Sequence, residues 1–181
     1  MAVKKTTTQA ALVAVVMGSD SDLETMSPCM AVLESFGIPF MAAIASAHRT
    51  PKHLERTVKK FESEGGRVVI AAAGGAAHLA GVVASLTPLP VIGVPIKSGL
   101  LGLDSLLSMA QMPPGVPVAT VGVNGAKNAG LLAARILALN SKPVRDKLLA
   151  FRDEQAQQVI AKSSRLKSAG YRNYHSGTPR S

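Results

Sequence analysis

The sequence predicts an α/β fold, a five-stranded parallel sheet with helices on both faces. Three observations predict it. Short apolar runs alternate with helical segments five times along the chain, the pattern of strands joined by crossover helices. The first run, 12–17, is apolar without a break, as in a strand buried on both faces. Of 181 residues, 47% are hydrophobic but only 3% aromatic, with 27 alanines and no Trp. That composition excludes general disorder. It predicts a core of small aliphatic side chains with closely packed backbones, in one domain of ordinary length.

The elements follow in order. The first strand, 12–17, is broken by Gly18-Ser19-Asp20-Ser21-Asp22. Leu23–Phe36 is predicted to be a helix, with Gly37 as its left-handed stop. Phe40–Ala45 is the second strand. After Ser46-Ala47-His48-Arg49, Thr50 is placed as an N-cap and Pro51 at the first helical position. Lys52–Glu64 is the amphipathic helix that follows. Val68–Ala72 is the third strand, and Ala73–Leu79 opens a small-residue helix to about Ser85. Val91–Val94 is the fourth strand, ended by Pro95. Leu103–Ala110 is a helix, Val118–Val123 the fifth strand, Ala126–Leu139 a helix, and Val144–Lys167 a long charged helix. Residues 1–10 and 171–181 are expected to be loose. The body is 11–141, and the C-terminal helix, 142–170, is expected to pack on a neighbouring subunit.

Charge narrows the function classes. Twenty Lys and Arg against eleven Asp and Glu give +9. From Lys142 onward there are nine basic and three acidic residues, whereas 6–141 carries nine basic and eight acidic ones. The body has neither a basic stripe nor the aromatic residues that stack bases, which argues against a nucleic-acid binder. Residues 68–96 carry no Asp, Glu, Lys or Arg, but their glycines and prolines cut the stretch into short elements, so it is not a membrane span. No targeting segment is evident. The one cysteine, Cys29, permits no intramolecular disulfide or cysteine metal cluster, and it reads as core.

In parallel sheets, ligands gather outside the carboxyl ends of the strands, near the point where strand order reverses. That rule selects three loops. In Gly18–Asp22, hydroxyls and free N–H groups suit an anion, and a carboxylate suits sugar hydroxyls; a plain helix cap fits equally well. In Ser46–Thr50, His48 is a proton carrier beside the anion clamp Arg49; a surface charge beside a satisfied loop imidazole is the plainer alternative. In Gly74-Gly75-Ala76-Ala77-His78-Leu79, the absence of bulk lets backbone approach a ligand, or serves helix–sheet packing. His78 is either a ligand contact or a residue of the first helical turn. No His, Asp or Glu arrangement has convincing metal spacing.

Together the loops carry a resemblance. Met17-Gly18-Ser19-x-Ser21-Asp22, Ser46–Pro51, Ala73–Leu79, Asp104-Ser105-Leu106, Gln111-Met112-Pro113 and Ala126-Lys127-Asn128-Ala129 resemble, in this order, the N5-carboxyaminoimidazole ribonucleotide mutase family of purine biosynthesis. The resemblance spans about 12–140 and implies a flavodoxin-like three-layer αβα sandwich. It also implies a cytoplasmic homo-octamer acting on a ribonucleotide with neither metal nor cofactor. It makes His48 the proton carrier, places Gly18, Ser19, Ser21, Asp22, Ser46, Ala47 and Arg49 against the ribonucleotide, and lays Gly74, Gly75, Ala76, His78 and Leu79 around base and carboxylate. A related branch carboxylates aminoimidazole ribonucleotide directly; it has Lys in place of Arg49 and lacks the 74–79 run, so this sequence sides with the mutases. Ala72 and Ala80 stand where the family often has Gly and Pro.

Overall fold

The computed structural model describes residues 10–175. The outermost parts of the two termini expected to be loose, 1–9 and 176–181, lie outside the described residues. The strands are β1 (Val13–Met17), β2 (Phe40–Ile44), β3 (Val68–Gly74), β4 (Val91–Ile96) and β5 (Ala119–Thr120). The helices are α1 (Leu23–Phe36), α2 (Pro51–Ser63), α3 (Leu79–Leu86), α4 (Leu103–Ala110), α5 (Ala126–Ala138) and α6 (Lys142–Ala169). All strand pairs are parallel, in the order β2-β1-β3-β4-β5. β1 and β3 therefore sit side by side where the chain reverses its direction across the sheet, the place such folds leave open for a ligand.

Alternate residues of each strand face opposite layers. Val13, Val15 and Met17, with Val68, Ile70 and Ala72, pack against α1, α5 and the start of α6. Ala14, Val16, Val69, Ala71 and Ala73 pack against α2, α3 and α4. Buried alanines serve both layers. A Cβ on Gly93 of β4 would come within 3.0 Å of Met109 Sδ and Val118 Cγ1, with Ala80 Cβ at 3.5 Å. Only small residues fit between sheet and helices there. Cys29 is fully buried in the first layer, and burial pushes its thiol up to about 12, so it stays protonated.

Helix α1 runs as expected. Gly37 stops it at φ +67, with its N–H donating to the Glu34 carbonyl and the Ile38 N–H to that of Leu33. Pro28 lies inside this helix and lacks the N–H that would reach Glu24. The Ser27 hydroxyl donates to the freed Glu24 carbonyl instead, at 2.9 Å.

Three local expectations are corrected. Pro95 does not end β4; it lies within the strand and pairs with Ala73 of β3. Its carbonyl faces the β5 side, where it accepts from Asn124 N–H. β5 pairs with β4 only through Ile92 and Gly93, so the missing N–H of Pro95 falls beyond the ladder. β5 itself is two residues long, not six. The run 74–78 does not open a helix: β3 extends to Gly74, a turn follows, and α3 starts at Leu79.

Candidate active site

Four loops meet at the carboxyl ends of β1 to β4 around a cavity of about 590 Å³. That is the size range of small-molecule sites. After β1, Ser19 caps a short 3-10 turn, Asp20–Asp22. Its hydroxyl accepts from Ser21 N–H at 3.4 Å, and Asp22 Oδ2 accepts from Ser19 N–H at 3.2 Å. This is a capping box, so the cap reading of the segment is correct, and the same residues also line the cavity. Asp22 is only 7% exposed. Burial lifts its carboxyl above the usual aspartate range, and hydrogen bonds to the charged form, chiefly from Ser19 N–H, offset part of that rise. A Cβ on Gly18 would make only ordinary contacts, the nearest at 3.7 Å. Packing therefore does not demand a glycine at this position of the cavity wall.

After β2, the loop is closed by Thr50. Its hydroxyl donates to Ser46 O at 3.1 Å and accepts from Ser46 N–H at 3.0 Å. Thr50 stands at the N-cap position of α2 but makes no side-chain cap bond; the hydroxyl is committed to the loop. Ser46 Oγ accepts from Arg49 N–H at 3.2 Å and from Arg49 Nε at 3.4 Å. Arg49 Nη2 donates to the Gly18 carbonyl at 3.1 Å. The guanidinium is thus pinned between the first two loops. A guanidinium has five N–H donors, and the donors left over are available to an anion.

After β3, the turn 74–78 contains two left-handed residues, Gly75 at φ +64 and Ala77 at φ +45. Gly75 is needed for that conformation, and its N–H donates to Ser98 Oγ at 3.0 Å. Ser98 in turn donates to Asp104 Oδ2 at 2.9 Å. His78 stands at the N-cap position of α3, and its Nδ1 lies 2.8 Å from His48 Nε2.

Of the residues singled out from sequence, Gly18, Ser19, Ser21, Asp22, Ser46, Ala47, His48, Arg49, Gly74, His78 and Leu79 line one cavity. Gly75 and Ala76, in the turn after β3, do not. Ala73 and Ala77 of the third loop line it as well, and so do Thr25, Ile96, Lys97 and Ser98, which sequence reasoning passed over. The carboxyl-end rule could have found Lys97 and Ser98, since β4 ends at the same edge.

The chain is similar to known proteins over most of its length. The family model for AIR carboxylase matches residues 12–158. An N5-carboxyaminoimidazole ribonucleotide mutase of Pyrococcus horikoshii is 52% identical over 164 residues, which are 90% of this chain and 93% of that one. A phosphoribosylaminoimidazole carboxylase of Saccharomyces cerevisiae is 49% identical over 164 residues, 90% of this chain but 29% of the yeast protein. Among solved structures, Treponema denticola PurE matches with a TM-score of 0.81 at 33% identity, covering 87% of this chain and 99% of that one.

Proposed function

We propose a function on one premise: this chain belongs to the AIR carboxylase family. The chain is a mutase of purine biosynthesis, an isomerase that converts N5-carboxyaminoimidazole ribonucleotide into 4-carboxy-5-aminoimidazole ribonucleotide. The relative that matches it nearly end to end carries that activity in its name, whereas the yeast carboxylase is more than three times longer than the shared stretch. Direct carboxylation of aminoimidazole ribonucleotide is the second reading, favoured by the names of the family model and of the yeast protein.

One observation carries the chemistry: His48, Arg49 and Asp22 line the same cavity. Arg49 holds the phosphate of the ribonucleotide, and Asp22 accepts from its ribose hydroxyls. Gly18, Ser19, Ser21, Ser46 and Ala47 complete that side. Gly74, His78 and Leu79 border the base and carboxylate. In the first half of the reaction the bond from carboxylate carbon to exocyclic nitrogen breaks, carbon dioxide leaves, and His48 protonates the nitrogen. In the second half, ring carbon 4 attacks the carbon dioxide, and His48 recovers a proton from that carbon. Atoms and charge balance with no external reactant. One imidazole serves both steps because the transfers run in opposite directions. Holding carbon dioxide beside the ring supplies effective concentration.

The reading further places the reaction in the cytoplasm, in a homo-octamer. No described helix is long and apolar enough to cross a membrane. Exposed Leu100, Leu101, Leu103 and Leu107 beside the cavity loops give the assembly an apolar face to cover.

The test is His48→Asn. Turnover of the carboxyamino substrate is expected to fall by ~10²–10⁴-fold, the usual weight of a general acid–base group, while ligand binding persists. More than about a tenth of wild-type turnover would remove His48 from that role. Turnover of aminoimidazole ribonucleotide plus carbon dioxide, with none of the carboxyamino substrate, would favour direct carboxylation.

A further inference from the structure

Cations gather at a second place, away from the loops at the carboxyl edge of the sheet. A cavity of about 550 Å³ lies between the end of α5 and the first half of α6, within the size range of small-molecule sites. α5 contributes Arg135, Ala138 and Leu139, and α6 contributes Arg145, Leu148 and Arg152. On each helix the intervals are three, four or seven residues, so each set shares one face. The last turn of α5 stands at the amino edge of the sheet, because Ile136 and Leu137 border a cavity with Leu12, the residue just before β1. α5 is 13 residues long, about 20 Å. The cavity of the arginines and the cavity of His48 and Arg49 are therefore at opposite edges.

Arg145 is fixed in place. Its Nε donates to the Ala138 carbonyl at 3.2 Å, and its Nη2 donates to the carbonyls of Ala138 at 3.1 Å and Leu139 at 3.2 Å. These bonds close the C-terminus of α5. They use three of the five guanidinium hydrogens and leave the two on Nη1. Closing a helix explains Arg145 but not its company. Arg135 and Arg152 are exposed, and the ion pairs among the described residues belong to Lys59, Lys60 and Lys142 instead. No acidic residue lines the cavity among the described residues. Three guanidiniums around one hollow without a carboxylate raise the local potential and draw an anion. Their planar forks match phosphate oxygens in pairs. Leu148 is buried, but Leu139 beside it is 73% exposed, an apolar wall that a bare phosphate leaves wet.

We propose that this cavity binds a small organic phosphate, its phosphoryl group on the three arginines and its apolar body against Leu139 and Leu148. A second copy of the chain is a poor occupant of this hollow. From Lys142 onward there are nine basic and three acidic residues, so a copy meeting this face through its own equivalent face sets arginine against arginine.

Calorimetric titration of the full chain with phenyl phosphate and with inorganic phosphate tests this. Every titration uses Arg49→Ala, which removes the guanidinium of the other cavity. Phenyl phosphate is expected to fill one site per chain, about tenfold tighter than inorganic phosphate, the gain from covering ~60 Å² of apolar surface. Adding Arg135→Gln and Arg152→Gln is expected to weaken phenyl phosphate by about 10–100-fold, the weight of a hydrogen bond to a charged group. Both side chains are exposed, so this variant is expected to keep the circular dichroism of its parent and its mass in light scattering. The proposal would be overturned by the lack of saturable binding of phenyl phosphate, or by equal affinity with and without the two arginines. Equal affinity for the two probes would overturn the organic class. A smaller assembly on loss of the arginines would overturn it too, since the occupant would then be a second copy.

Discussion

Asp22 sets stability against use. Its carboxylate is lifted above its ordinary range by burial, so the folded protein holds that proton more tightly than the unfolded chain. The stability it contributes is complete below the ordinary aspartate range and is lost as pH rises through the lifted value. At neutral pH it is a buried charge at a net disadvantage, as functional sites commonly show. Asparagine keeps an oxygen for Ser19 N–H and loses the charge. Asp22→Asn is therefore expected to melt at or above wild type at pH 7, with the difference shrinking near pH 3, while ribonucleotide affinity falls about 10–100-fold, the weight of a hydrogen bond to a charged group. Melting curves at the two pH values and a binding titration check both halves. Arg49→Ala is expected to weaken the ribonucleotide by a similar factor and leave the phosphate-free nucleoside unaffected; equal losses for both would remove the phosphate assignment. His48, Arg49 and Asp22 were legible in the sequence because each lies in a short polar loop that follows an apolar run. The His48–His78 contact was not, because it depends on which strands are neighbours, and no residue type encodes that locally.

The elements were legible where local chemistry and burial agree. Leu23–Phe36 and Leu103–Ala110 form as read, the first closed by the Gly37 stop. β5 and the turn 74–78 were not legible. Val118–Val123 has strand composition but shares only two residues with its neighbour's ladder, and the alanines of 73–77 suit a helix until Gly75 and Ala77 take left-handed angles. Tertiary contact overrides propensity in both. Closest approach decides another element. A Cβ on Gly130 of α5 would lie 2.9 Å from the Cys29 carbonyl and 3.1 Å from Val32 Cβ in α1, and the first is backbone that cannot yield cheaply. Gly130→Val is expected to destabilise the fold by about 2 kcal/mol, the middle of the overpacking range, because valine recovers little helix propensity over glycine. Gly122→Ala, with open space around it, is expected to stay within about 0.5 kcal/mol of wild type. Parallel denaturation curves decide it, and equal losses at both sites would mean that α1 and α5 can separate.

The molecule as a whole has an apolar stripe that outruns its own core. Val144 and Leu148 of α6 are buried, and Phe151 packs edge-on against Phe36 with ring centroids 6.1 Å apart. Eleven positions beyond Leu148 comes Val159, and seven further Leu166. At 3.6 residues per turn these lie on one line along the helix. Val159 is 65% exposed, and Ile160 and Leu149, about a third of the circumference away, are 57% and 51% exposed. The stripe thus begins on the subunit's own sheet layer and continues past it, uncovered by any of the described residues. A second copy is the natural cover in a symmetric assembly, which makes the proposed octamer testable by deletion. Removing residues after Arg152 spares Val144, Leu148 and Phe151, so each subunit keeps the contacts that fix α6 to α5 and α1. Light scattering of the full chain at micromolar concentration is expected to give about eight times the 18.7 kDa chain mass. The shortened chain is expected to give a smaller assembly with unchanged helical circular dichroism per residue in the remaining body. A full-length monomer with undiminished turnover would sink the octamer. An octamer that survives the deletion would mean that the contacts holding copies together lie elsewhere, with the exposed leucines 100–107 beside the cavity as the next face to alter.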